Sequence, residues 1–133
     1  MKLFSALSVA VCLLFPTFSA MGAEQSLQIT EMAVTTKIVR GNPIDAVRRI
    51  SSTSVKELYC FTRVVNPGGA VTTVRHAWYK DGVLMGEHRL PIRGARWRTW
   101  SKRPIDRTSV GDWRVDALDE EGNLLRAVTF KIN

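Results

Sequence analysis

Acid–base or metal chemistry in this chain would have to pass through His76 or His88, the only two histidines among its 133 residues. An imidazole titrates near neutrality and can shuttle a proton or ligate zinc. Cys60, on a strand that could lie beside them, would complete a zinc-like ligand set, but the spacing of the three matches no zinc motif, in which ligands come in close pairs. Glu87, Asp106 and Asp112 offer carboxylates for glycoside chemistry, yet nothing in the sequence holds two of them at a working separation. The chain also lacks a Gly-x-Ser-x-Gly elbow, a His-Glu-x-x-His pair, a Cys-x-x-Cys pair and a phosphate-cradling glycine loop. No cofactor, resident metal or catalytic residue is expected. A hydrolytic or metal-dependent accessory enzyme using His76 and His88 remains the alternative to a reading in which His76 is a hydrogen-bonded core residue beside Trp78.

Charge points elsewhere. The chain carries 19 Lys and Arg against 12 Asp and Glu. Between residues 89 and 107 stand Arg89, Arg93, Arg96, Arg98, Lys102, Arg103 and Arg107 with Asp106 as the one acid, and Trp97 and Trp100 lie among them. On a strand from Arg96 to Ser101, alternation sends Arg96, Arg98 and Trp100 to one face and Trp97 and Thr99 to the other. Trp97 then belongs to the core. Arg96, Arg98 and Trp100 form an outward group, extended by Lys102 and Arg103, in which guanidinium forks grip carboxylates or phosphates and the indole is an apolar anchor. The competing reading is a solvated face whose arginines pair with acids such as Asp112 or Asp116.

The elements that must position these groups are strands. Residues 1–23 read as a signal peptide: Lys2 supplies the positive start, Leu3 to Phe18 the apolar core, and Ser19, Ala20, Gly22 and Ala23 the small residues around a cleavage site after Gly22 or Ala23. The apolar run is shorter than the roughly 20 residues that span a bilayer, so no transmembrane span is expected in the mature chain. Cys12 leaves with that peptide, and Cys60, alone and in an apolar run, reads as a small buried hydrophobe. Residues 24–133 are long enough for one domain.

Within it, β-branched and aromatic runs alternate with turn residues about seven times, the spacing of an all-β, single antiparallel β-sandwich of immunoglobulin-like form. A short helical turn is expected near residues 44–50, after Pro43. Lys80-Asp81-Gly82 marks a hairpin. A three-residue loop would pair Trp78 with Leu84, His76 with Gly86 and Val74 with His88, placing Val74, Trp78, Leu84, Leu90 and Ile92 on one core face. Gly86 would then leave room for the His76 ring. In the last hairpin Trp113, Val115 and Ala117 face inward, answered by Val128, Phe130 and Ile132.

The succession Tyr59, Phe61 and Thr62, then His76, Trp78, Tyr79 and Gly82, then Arg96-Trp97-Arg98-Thr99-Trp100-Ser101, then Gly111, Trp113, Val115, Gly122, Leu125 and Phe130 resembles domain-of-unknown-function family 2914 of bacterial envelope and secreted proteins. The likeness runs from about Met32 to Ile132. Its most specific part is the tryptophan–arginine block followed by the Gly-x-Trp hairpin, and Cys60 and Trp100 stand where other aromatics are expected. The resemblance implies a compact β-sandwich-like module of the envelope and transfers no catalytic residue. Together these features read as a secreted, most simply periplasmic, non-enzymatic interaction module. It would bind an acidic protein surface or an anionic envelope component through Arg96, Arg98, Trp100, Lys102 and Arg103. Nucleic acid is not the expected partner, because export removes the chain from most of it.

Overall fold

Alternating inward apolar side chains give seven long strands, and these stack as two sheets around one core. The structure, a computed structural model, describes residues 26–133 together with residues 10, 12 and 13. The rest of the segment read as a signal peptide, with its cleavage site, lies outside the described residues. The strands are β1 (Gln28–Thr35), β2 (Ile38–Val39), β3 (Asn42–Pro43), β4 (Arg49–Ile50), β5 (Glu57–Val65), β6 (Thr72–Lys80), β7 (Val83–Ile92), β8 (Arg96–Pro104), β9 (Gly111–Leu118) and β10 (Leu124–Ile132). One sheet has the order β1-β5-β8, the other β4-β10-β9-β6-β7, and β2-β3 form a separate ribbon. No helix among the described residues is long and apolar enough to cross a membrane.

The core between the sheets is fed by every second residue. Leu58, Cys60 and Val64 enter from β5, Val74 and Trp78 from β6, Trp113, Val115 and Ala117 from β9, and Phe130 and Ile132 from β10. Its centre is aromatic. The Trp113 and Phe130 rings stack at 5.9 Å, and Trp78 meets both edge-on at 6.4 and 6.2 Å, the offset and T-shaped contacts that ring quadrupoles favour. The inward assignment of the last hairpin holds, with Val128 only partly buried.

Two local expectations fail for identifiable reasons. Residues 44–50 form no helical turn, because their groups are taken up by neighbouring strands. The Asp45 carboxylate accepts from Thr35 Oγ1, Thr36 N and Thr36 Oγ1. Val47 N–H donates to Val34, Arg48 carbonyl accepts from Lys131, and β4 pairs parallel with the end of β10. In the β6–β7 hairpin the register is not that of a three-residue loop. Asp81 and Gly82 both have positive φ, 49° and 80°, which makes a tight two-residue turn that matches strand twist. Met85 is then an extra residue in β7, after which Trp78 faces Gly86, His76 faces His88 and Val74 faces Leu90. The bulge turns Leu84 out to 49% exposure, whereas Leu90 and Ile92 keep the core face.

The same turn explains the glycine of the Gly-x-Trp hairpin. Asp81 N–H donates to the Asp112 carbonyl and Asp112 N–H donates to Asp81 Oδ1, docking the β6–β7 turn on the start of β9. Gly111, at φ 152°, lies so close that a Cβ would stand 2.6 Å from Asp81 Oδ2. Gly111→Ala should therefore lower stability by about 1–3 kcal/mol, read as a lower urea midpoint. An unchanged midpoint would show that the docked turn contributes nothing.

Candidate functional site

Strand β8 runs three residues further than the sequence suggested, and its parity decides which charges share a face. Arg96, Arg98, Trp100 and Lys102 point outward, Trp100 with 39% exposure, while Trp97, Thr99, Ser101 and Arg103 face the other way. Arg103 thus leaves the expected binding group. Its guanidinium crosses to the second sheet, lies 5.3 Å from the Trp113 ring centroid, and donates to the Met85 carbonyl exposed by the bulge. A Cβ at residue 86 would meet its Nη1 at 3.1 Å. Gly86 makes room for this arginine, not for the His76 ring.

The outward face is built by β8 and β5 together. Arg98 stands opposite Arg63, Trp100 opposite Phe61 and Lys102 opposite Tyr59. The β2–β3 ribbon folds back over this face, where Asn42 Oδ1 accepts from Arg98 Nη1 at 3.1 Å and from Arg63 Nη2 at 3.3 Å. The turn residue Gly41 sits against the Arg98 guanidinium. Phe61 is fully buried on this side of the sheet, with the Arg63 guanidinium 5.7 Å from its ring centroid. Arg63 pairs with Glu31 and Lys102 with Glu57. Glu57 also accepts from the Tyr59 hydroxyl, which with Lys102 holds its carboxyl below the usual range.

Asp112 and Asp116 do not meet these arginines: they pair with Lys131 and Arg114. Arg96 has no ion-pair partner among the described residues. With Arg63, Arg98, Trp97, Val65 and Thr30 it lines an open recess of about 490 Å³, so three arginine side chains border one concavity.

His76 has a different environment from a catalytic imidazole. It is fully buried on β6, and it bridges the two sheets. Nδ1 lies 2.8 Å from Ser101 Oγ and Nε2 lies 3.1 Å from Thr62 Oγ1. Trp78 Nε1 donates to Ser101 Oγ, and Thr62 Oγ1 donates to the Thr99 carbonyl. These partners assign the tautomer. Ser101 donates to Nδ1, Nε2–H donates to Thr62, and every member is satisfied. Burial, with a smaller contribution from His88, pulls the imidazole down to about 3, so it stays neutral.

Both ring nitrogens are committed, and the Ser101 hydroxyl, although beside an imidazole, is buried and shared with an indole. No group of three metal-ligating side chains occurs among the described residues. Cys60 is buried opposite Ser101 in the β5–β8 ladder, and burial pushes its thiol up. The participation of Ser101 and Thr62 escaped the sequence reading. The only signal was their parity, which places both inward on β8 and β5.

Two stacked sheets, antiparallel except for the short β4, with an aromatic centre and no catalytic group assembled among the described residues, define an immunoglobulin-like β-sandwich module. Among solved structures it is similar to an immunoglobulin-like protein from Pseudomonas aeruginosa, with 11% identity over 84% of this chain and 100% of that one, at a TM-score of 0.54. It is also similar to the CARDB domain of a Pyrococcus furiosus protein, with 18% identity over 80% and 92% at 0.46. The first likeness shows the fold, and the second is too distant to add to it. Residues 71–132, spanning β6 to β10, match the family model described as Protein of unknown function (DUF2914), in agreement with the resemblance carried by the tryptophan–arginine block and the Gly-x-Trp hairpin. No protein of curated function matches the sequence.

Proposed function

We propose that the protein is a secreted or periplasmic interaction module that binds an acidic protein surface through the outward face of β8. The observation that carries this reading is that Arg96, Arg98 and Arg63 border one open recess, with Arg96 unpaired among the described residues and Trp100 exposed beside it. Arginine forks bind carboxylates bidentately, and a half-exposed indole supplies apolar contact area. Secretion rests on the signal-peptide pattern of residues 1–23. The non-enzymatic character is supported by the saturated hydrogen bonding of His76.

The test separates binding from folding. With a photo-crosslinking residue at Trp100 in the exported protein, irradiated cells should yield one discrete protein adduct. Arg96→Ser should reduce that adduct by about tenfold, the weight of one lost charge-assisted contact, while the thermal midpoint stays unchanged. Arg103→Ala should do the reverse, lowering the midpoint through loss of the Trp113 and Met85 contacts and leaving the adduct intact. An adduct insensitive to Arg96→Ser, or none at all from folded protein, would remove this reading.

A further inference from the structure

We infer that the acidic partner is bound as an added β-strand along the free edge of β8, extending the order β1-β5-β8 by a fourth strand; this rests on the reading of β8 as the binding element. The sheet edges differ in how they are protected. An exposed edge carries unpaired N–H and C=O groups that template further pairing, and folded proteins interrupt or cover such edges. Here the others are interrupted or covered. β1 is broken by an extra residue at Thr30 and bridged by Val47 N–H to the Val34 carbonyl. β7 carries the Met85 bulge and Pro91. β10 has an extra residue at Leu125, and its end is covered by β4.

β8 is different. It pairs with β5 over nine residues without a single register shift, and no strand pairs with its other edge among the described residues. Apart from Pro104 at its last position, its guard is charge, and all of it has one sign. A second copy aligned antiparallel about Trp100 would place Arg98 against Lys102, so like charges oppose self-pairing. An acidic strand meets no such barrier and is drawn in by the same field.

The side chains beside the edge fit an alternating sequence. One parity of the incoming strand would lie by Arg96, Arg98 and Lys102 and take carboxylates. The other would enter a recess of about 350 Å³ in which Pro91, Trp97 and Thr99 are joined by Arg93, Arg98 and Trp100, and take small apolar groups. The partner class is therefore an extended segment in which Glu or Asp alternates with residues such as Val or Thr.

The probe is a synthetic nine-residue peptide of alternating Glu and Val, acetylated and amidated, titrated against the full chain by calorimetry. Two further versions carry N-methyl groups on alternate backbone amides, one for each parity. In an added strand only one parity of N–H faces β8. Methylation of that parity should weaken binding by about tenfold or more, on the scale of a backbone hydrogen bond, and methylation of the other should leave it within about twofold. Equal effects of the two versions, with binding still lost in Arg96→Ser, would overturn strand addition and leave the module reading standing. Failure of the unmethylated peptide to bind would also overturn strand addition, and the Trp100 crosslink then decides the module reading independently.

Discussion

Trp113→Ala should cost about 3–5 kcal/mol of folding stability, the range of large aromatic truncations in a packed core. The residue is 2% exposed, stacks on Phe130, meets Trp78 edge-on and carries the Arg103 guanidinium over its ring. Its Nε1–H also donates to the Ser109 carbonyl at 2.7 Å, so truncation leaves a cavity and an orphaned acceptor together. The urea midpoint, followed by the fluorescence of the remaining tryptophans, checks it. A second variant, Trp113→Phe, keeps most of the ring and loses the donor, and should cost about 1–3 kcal/mol. A loss below about 1 kcal/mol for Trp113→Ala, on the scale of a surface change, would refute the inward placement of β9.

Acidification should destabilise the fold well above the pH at which carboxylates protonate, and His76 should be the cause. Its imidazole is pulled down to about 3 in the folded state by burial and, to a lesser extent, by His88. The unfolded chain titrates at the ordinary value near 6.5. Below 6.5 the unfolded state therefore binds a proton that the folded state refuses, and stability falls by about 1.4 kcal/mol per pH unit. The loss continues until the pH approaches 3, where the folded state takes up the proton as well. Carboxylates held low in the native state, such as Asp45 and Asp119, lose stability in the same direction, but only as the pH falls below the ordinary carboxylate range near 4.

The window from about pH 6.5 to 5 thus isolates His76, above the range in which Glu57, also held low in the fold, takes up its proton, and a drop of about 1.5 kcal/mol is expected across it. The residues packed around the imidazole are Thr62 and Ser101 from the facing sheet and Trp78 and His88 from its own. None of these is a carboxylate that would stabilise the cation. His76→Gln removes the titrating group, so the slope in this window should flatten even if the variant is less stable throughout. An unchanged slope would mean that His76 does not remain neutral in the fold.

Much of the architecture was legible because it is written in period-two alternation. The Trp113, Val115 and Ala117 positions could be assigned inward from their neighbours Asp112, Arg114 and Asp116, since burying three charges on one strand is prohibitive. The outward set Arg96, Arg98 and Trp100 followed from the same rule. Arg103 did not, because two consecutive basic residues after Ser101 have the local character of a strand's end. The actual strand continues to Pro104, and parity then turns Arg103 inward, where its long stem and planar head reach the bulge carbonyl and the Trp113 face. A charged residue at an inward position is tolerated there because the Met85 carbonyl accepts from its Nη1 and the Trp113 ring lies against its guanidinium.

The sequence by itself determined the all-β class, the number of long strands, the inward and outward faces of the last hairpin, and the concentration of basic residues between 89 and 107. These are properties of short stretches of chain, set by which side chains can leave water and which cannot. Only the tertiary structure decided the β6–β7 register, the fate of residues 44–50, the hydrogen-bonded bridge from Trp78 through Ser101 and His76 to Thr62, and the unbroken free edge of β8. Each depends on a partner distant in sequence. Asp112 docks the Asp81 turn, Val34 and Lys131 capture the groups of residues 44–50, and among the described residues β5 alone pairs with β8. A hydrogen bond or a sheet edge is a relation between two segments, and local spacing carries no information about which segment arrives.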